Sequence, residues 1–162
     1  MKTPTLWFIL SVLMLTGTAF SQTKLQVYST WETMEMDRLA SLWLIKKFID
    51  PGAMIRFYPQ GTMDMEGIQV DTPTSHFRRT QQVTAYESLL QAHAITDPAL
   101  VYIGQLVRDV EINIWGAKKL PESQGINLVF KGIFLSSKEP KESMEKGFIV
   151  MDGLYKTLHT GK

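Results

Sequence analysis

Between Glu35 and Ile49 the apolar side chains cover too much of a helical circumference to lie at a surface. Leu39, Leu42, Trp43, Leu44, Ile45, Phe48 and Ile49 form a wide stripe when wound at about 3.6 residues per turn. The spacing predicts a helix over 35–49 at the centre of the core, with the rest of the chain packed around it. Asp50-Pro51-Gly52 ends it: proline drives the residue before it out of the helical region, and glycine permits a tight exit.

Residues 25–30 alternate apolar and polar, as a strand does. Residues 54–58 and 67–71 read as two more strands, with turn chemistry at Pro59 and Gly61 between them. A polar loop over 72–83 carries Pro73, His76, Arg78 and Arg79. Helical patterns follow. Thr84 and Glu87 have the spacing of a capping box for a helix to about His93. Asp97-Pro98 opens the next, with Leu100, Ile103, Val107, Val110 and Ile114 on one face. Pro121 begins a helix through about Leu135, and residues 137–140 begin a last one with Met144, Phe148, Met151, Tyr155 and Leu158 as its stripe. The expected fold class is α+β, helix-dominated, with a small N-terminal β-sheet packed with about five helices.

The first 21 residues read as a signal peptide. Lys2 supplies a basic start, an apolar run spans 6–15, and small residues lead to Ala19-Phe20-Ser21. That run is shorter than the roughly 20 residues of a membrane span. The expectation is cleavage near Ser21 and an exported chain of residues 22–162, periplasmic or secreted, forming a single domain. Loss of Lys2 takes the formal net charge from +1 to zero. A neutral chain has no electrostatic footprint for nucleic acid. With no cysteine, disulfides, thiolate metal sites and thiol redox chemistry are excluded. The core must therefore carry stability, and 44% hydrophobic residues can supply one.

Several polar residues have chemistry to offer. Asp37-Arg38 lies at the start of the first helix, with Ser41 on the same face as Asp37. Asp37 there favours the positive helix end, and Arg38 either pairs nearby or offers its planar fork to an oxyanion. His76 is either a solvated loop residue or a metal ligand. Arg108 and Glu111 have the spacing of a surface pair, while Asp109 or Glu111 could instead face inward as a carboxylate ligand. One histidine with one or two carboxylates suits a divalent first-row metal. Asp152 interrupts an apolar helix and would need a partner if buried, for which Arg38 is a candidate.

The run Met36 to Pro51, Met-Asp-Arg-Leu-Ala-Ser-Leu-Trp-Leu-Ile-Lys-Lys-Phe-Ile-Asp-Pro, resembles the signature of the ChrB-type chromate-resistance domain. The resemblance continues at Val70-Asp71-Thr72-Pro73 with His76 after it, at Asp97-Pro98-Ala99-Leu100, at Val107-Arg108-Asp109-Val110-Glu111, at Pro121-Glu122 with Gly125-Ile126, and at Asp152-Gly153-Leu154-Tyr155. It covers nearly all of residues 27–158. Members of that family accompany chromate transport and resistance, and in many the domain follows an N-terminal regulatory half. The resemblance thus implies an exported, stand-alone version without the regulatory half. Where family members often carry Cys-Pro, this chain has Ser41-Leu42, and a second family cysteine is also absent, so reduction of chromate by a thiol is excluded. Asp37, Arg38, His76 and Glu111 match.

Together these readings point to a domain linked to chromate or metal-stress resistance that binds a small inorganic ion. The pocket would lie between the first helix, the His76 loop and the Glu111 region. In an oxyanion form Arg38 and Arg108 face a chromate-like anion, and protonated His76 adds a donor. In a metal form His76, Glu111 and Asp37 hold a divalent metal ion. Raising pH would weaken the first and strengthen the second. The alternatives are a metal-dependent hydrolase or redox enzyme, and an interaction module for a membrane transporter that uses an exposed patch at Trp31 and Trp115.

Overall fold

The computed structural model describes residues 25–160, so the expected signal peptide lies outside the described residues. The central helix, α1, spans Met36–Leu44, and every one of its residues is buried. It continues as one π-helical turn, Ile45–Ile49, and the Asp50 N–H closes that turn on the Ile45 carbonyl at 2.7 Å. The width of the apolar stripe has a direct cause. The helix leads from β1 (Val27–Trp31) to β2 (Met54–Tyr58) and is covered by three later helices.

β1 pairs in parallel with β2, Val27 opposite Met54 through Trp31 opposite Tyr58. Parallel neighbours need a crossover, and α1 with its π-turn provides it. β3 (Ile68–Gln69) pairs in parallel on the other side of β1, giving the order β2-β1-β3. The expected third strand is thus cut to two residues. Val70 makes only an isolated bridge to Phe77, and Asp71 turns out of the sheet with φ of +50°. Ser29 and Thr30 of β1 are fully buried, and their hydroxyls donate to the carbonyls of Glu66 and Val70. Gly67 stands at the entry to β3 with φ of +77°, where a Cβ would sit 2.2 Å from the Val27 carbonyl oxygen.

The helices follow in the expected order. α2 (Ala85–Ala92) has the Thr84–Glu87 capping box, and α3 (Pro98–Glu111) starts with Asp97 accepting from the N–H groups of Ala99 and Leu100. α3 ends at Glu111, so Ile114 lies outside the helix and is exposed, in place of the core position its spacing predicts. α4 (Ser123–Ser136) begins two residues after Pro121. Asp109 sets that start, accepting from the N–H of Lys119 (2.8 Å), the N–H of Leu120 (3.1 Å) and the Ser123 hydroxyl (2.6 Å). Burial opposes the Asp109 charge, but these donors and Asn113 outweigh it and hold the carboxyl down to about 2.

α5 (Pro140–Thr160) closes the core against α1. Trp43 meets Phe48 edge-on at 5.2 Å and Tyr155 at 6.0 Å, and its indole N–H donates to Asp152 Oδ1 at 2.8 Å. Asp152 is exposed and pairs with Lys47 at 2.8 Å, so Arg38 is not its partner. α5 packs tightly on α1 at Gly147, where a Cβ would fall 2.1 Å from Leu39 Cδ1. Gly147→Val should therefore cost about 1–3 kcal/mol through overpacking, read as a lower urea midpoint. An unchanged midpoint would mean that α5 does not dock this tightly.

Candidate functional site

Where β1 hands over to α1, a cleft of about 420 Å³ opens between two walls. Trp31, Thr33, Glu35 and Arg38 form one wall, and Asp71, Thr72, Arg78 and Arg79 the other. The second wall exists because Asp71 leaves the sheet with positive φ, a conformation that Asp tolerates better than most residues. Its N–H closes the resulting turn on the Phe77 carbonyl at 2.7 Å, which brings Arg78 and Arg79 back toward α1.

Arg38 is only 4% exposed. Its guanidinium donates to the Thr33 carbonyl and, at 2.7 Å, to the Asp71 carbonyl, and lies 6.0 Å from the centre of the Trp31 ring. Nη2 also comes within 3.2 Å of Asp71 Oδ2, which is an ion-pair contact but not an aligned hydrogen bond. Among the described residues, the buried side-chain nitrogen and oxygen atoms without a hydrogen-bond partner are two: Arg38 Nε and Asp71 Oδ2. Both belong to residues of this cleft. Burial pushes the Asp71 carboxyl up to about 8, with the Asp37 charge adding to the rise and Arg38 and Arg79 opposing it.

Arg79 bridges the carboxylates of Glu35 and Glu111. Burial opposes its charge, yet Asp71, Glu35 and Glu111 outweigh that and hold its pKa above the usual arginine value. Arg78 is exposed and donates to the Ser75 carbonyl at 3.2 Å, so most of its fork faces the cleft and solvent.

The residues singled out from sequence take different places. Asp37 is fully buried behind the cleft, and its two oxygens accept from the N–H groups of Ala85 (2.8 Å) and Tyr86 (2.9 Å). It caps the start of α2 from another helix. Burial raises its carboxyl to about 6 against the lowering effect of those hydrogen bonds. Glu111 accepts from the Met36 N–H at 2.9 Å and from Arg79, so it secures the start of α1. His76 is exposed, its ring edge-on to Phe77 at 5.0 Å. Arg108 pairs with Glu87 at 2.8 Å, not with Glu111, and is not in the cleft wall. Among the described residues no three His, Cys, Asp or Glu side chains gather into a group that could hold a metal ion. Trp31 is partly buried in the wall with its indole N–H on the Thr62 carbonyl, whereas Trp115 is 94% exposed.

Of the five residues expected to hold an ion, Arg38 alone lines the cleft. Asp71, Arg79 and Glu35 carry little local signal of a site; for Asp71 the only one is its place in the Val70–Pro73 run.

Fold and cleft together define a helix-dominated α+β domain with an arginine-lined recess at the end of its central strand. The family described as ChrB, C-terminal domain, matches residues 28–158, and the chain belongs to that family. Membership supports a role associated with chromate resistance. Comparison with curated proteins and with solved structures gives no match.

The raised carboxyls have a consequence for stability. Folding that raises an acid's pKa favours the protonated form, so its stabilising contribution is complete below the ordinary carboxylate range and is lost as pH rises through the folded value. Asp37 and Asp71, at about 6 and about 8, should make the protein lose stability between mildly acidic and alkaline pH. Asp71→Asn should flatten the upper part of that decline. Thermal unfolding midpoints across this range check it, and a rising midpoint would contradict it.

Proposed function

We propose that the cleft binds a tetrahedral oxyanion, and that chromate is the anion to which family membership points. The carrying observation is that the two buried side-chain atoms without a hydrogen-bond partner among the described residues, Arg38 Nε and Asp71 Oδ2, belong to the one cleft on which Arg38, Arg78 and Arg79 converge. Buried polar groups without partners are rare and costly, and they mark places where a ligand or water completes the set. Guanidinium forks match the paired oxygens of a tetrahedral anion.

In this reading Arg78 is the solvent-facing clamp. Arg38 and Arg79 supply fixed charge, and Glu35 and Glu111 hold Arg79 in place. The oxyanion form draws more support than the metal form, because the oxygens of Asp37 and Glu111 are engaged by backbone N–H groups and Arg79. Titration calorimetry with sodium chromate should detect binding. Arg78→Ala should weaken it by about tenfold, the worth of one charge-assisted hydrogen bond. Arg108→Ala, which lies outside the cleft, should leave affinity unchanged. Equal loss in both variants, or no binding to the native protein, would overturn the reading.

The protein is read as an exported one because of the basic, apolar and small-residue pattern of residues 1–21. N-terminal sequencing of the protein from the cell envelope or medium should begin near Gln22, and a cytoplasmic chain beginning at Met1 would refute export. A second functional reading, docking on a membrane transporter, is favoured by the 94% exposure of Trp115 beside exposed Ile114.

A further inference from the structure

Charge around the cleft is close to balanced before any ligand arrives. Arg38, Arg78 and Arg79 line it together with Glu35 and Asp71, with Glu111 on the far side of Arg79 and Asp37 buried behind. Three positive charges therefore meet four carboxyls when all are ionised. A dianion brought beside an ionised Asp71 would find no net positive charge to offset it. Its approach to a buried carboxylate oxygen would be strongly repulsive. Yet Asp71 Oδ2 is the group left without a hydrogen-bond donor. One proton removes the negative excess and the direct clash, because a carboxyl oxygen and an anion oxygen that share a proton form a hydrogen bond where two bare oxygens repel.

We infer that Asp71 is an anion-binding residue of the cleft, and that an oxyanion binds there together with one proton held between its oxygen and Asp71 Oδ2. This deepens the proposed oxyanion function and rests on it. The proton comes from solvent and no other bond changes. Because the carboxyl itself can hold and donate the proton, the ligand need not be basic, and chromate, phosphate and sulfate are all accepted. The groups around Asp71 are consistent with the role. Asp37 on α1, with Glu35 just before it, pushes Asp71 toward protonation, while Arg38 and Arg79 keep it from being neutral at every pH. His76, on the same loop, is exposed and is not part of the cleft wall.

The test is calorimetric titration of the purified protein with sodium chromate, phosphate and sulfate at about pH 9, in buffers of different ionisation heat. Asp71 and chromate are then both ionised in the free state. Binding should take up close to one proton, and chromate affinity should fall by about tenfold per pH unit in this range, as linkage of one proton requires. In Asp71→Asn, whose amide donates to any anion without a proton, uptake and the pH slope should vanish. Should that variant fail to fold, the buffer dependence of the native protein decides alone. Chromate binding without proton uptake overturns the inference while leaving the oxyanion function standing. Absence of binding by all three anions overturns both.

Discussion

The Asp37 carboxylate is fully buried, and both of its oxygens are spent on the first backbone N–H groups of α2. The rest of the structure hangs on this contact. A buried charge without partners would cost several kcal/mol, so the start of α1 and the start of α2 have to meet. The next residue, Arg38, is buried by the same turn of helix and needs partners of its own, which it finds at Thr33 and Asp71. Glu111 takes the Met36 N–H from the end of α3 and ties a third helix to the same point. One helical turn thus joins the sheet, the 71–79 loop, α2 and α3.

The cleft follows from this construction. Opposite charges are gathered at one end of the central helix, and most are matched in pairs: Arg79 with Glu35 and Glu111, and Arg38 with Asp71. The matching is incomplete where Arg38 Nε and Asp71 Oδ2 lack hydrogen bonds. Under the proposed oxyanion reading, a carboxyl held up to about 8 beside an arginine held firmly charged would respond to an incoming anion. Asp109 shows the opposite case: four donors around one carboxylate hold it down to about 2 and leave it a purely structural cap.

Much of the architecture was legible from local pattern. The wide stripe of α1, the Thr84–Glu87 capping box, the Asp97-Pro98 start and the α5 stripe all follow from periodicities and caps that act within a few residues. Errors fell at element ends. α3 stops before Ile114, α4 starts after Pro121, and β3 shrinks to Ile68–Gln69, because Asp109 and Asp71 redirect the chain through contacts that spacing does not reveal. Asp152 looked like a partner for Arg38, yet the helix phase gives it to Trp43 and Lys47.

The site divides in the same way. By itself the sequence determined the fold class, the lack of thiol chemistry, the family signature from Met36 to Pro51, and Arg38 as a polar residue within a core helix. The tertiary structure alone decided that Asp71 faces Arg38 from 33 positions away, that Arg79 reaches Glu35 and Glu111, and that Arg108 turns to Glu87 instead. Periodicity reports which face of an element is buried, because burial depends on neighbours within a turn or two. Which charge meets which across the core depends on how whole elements dock, and side chains distant in sequence carry no mark of that.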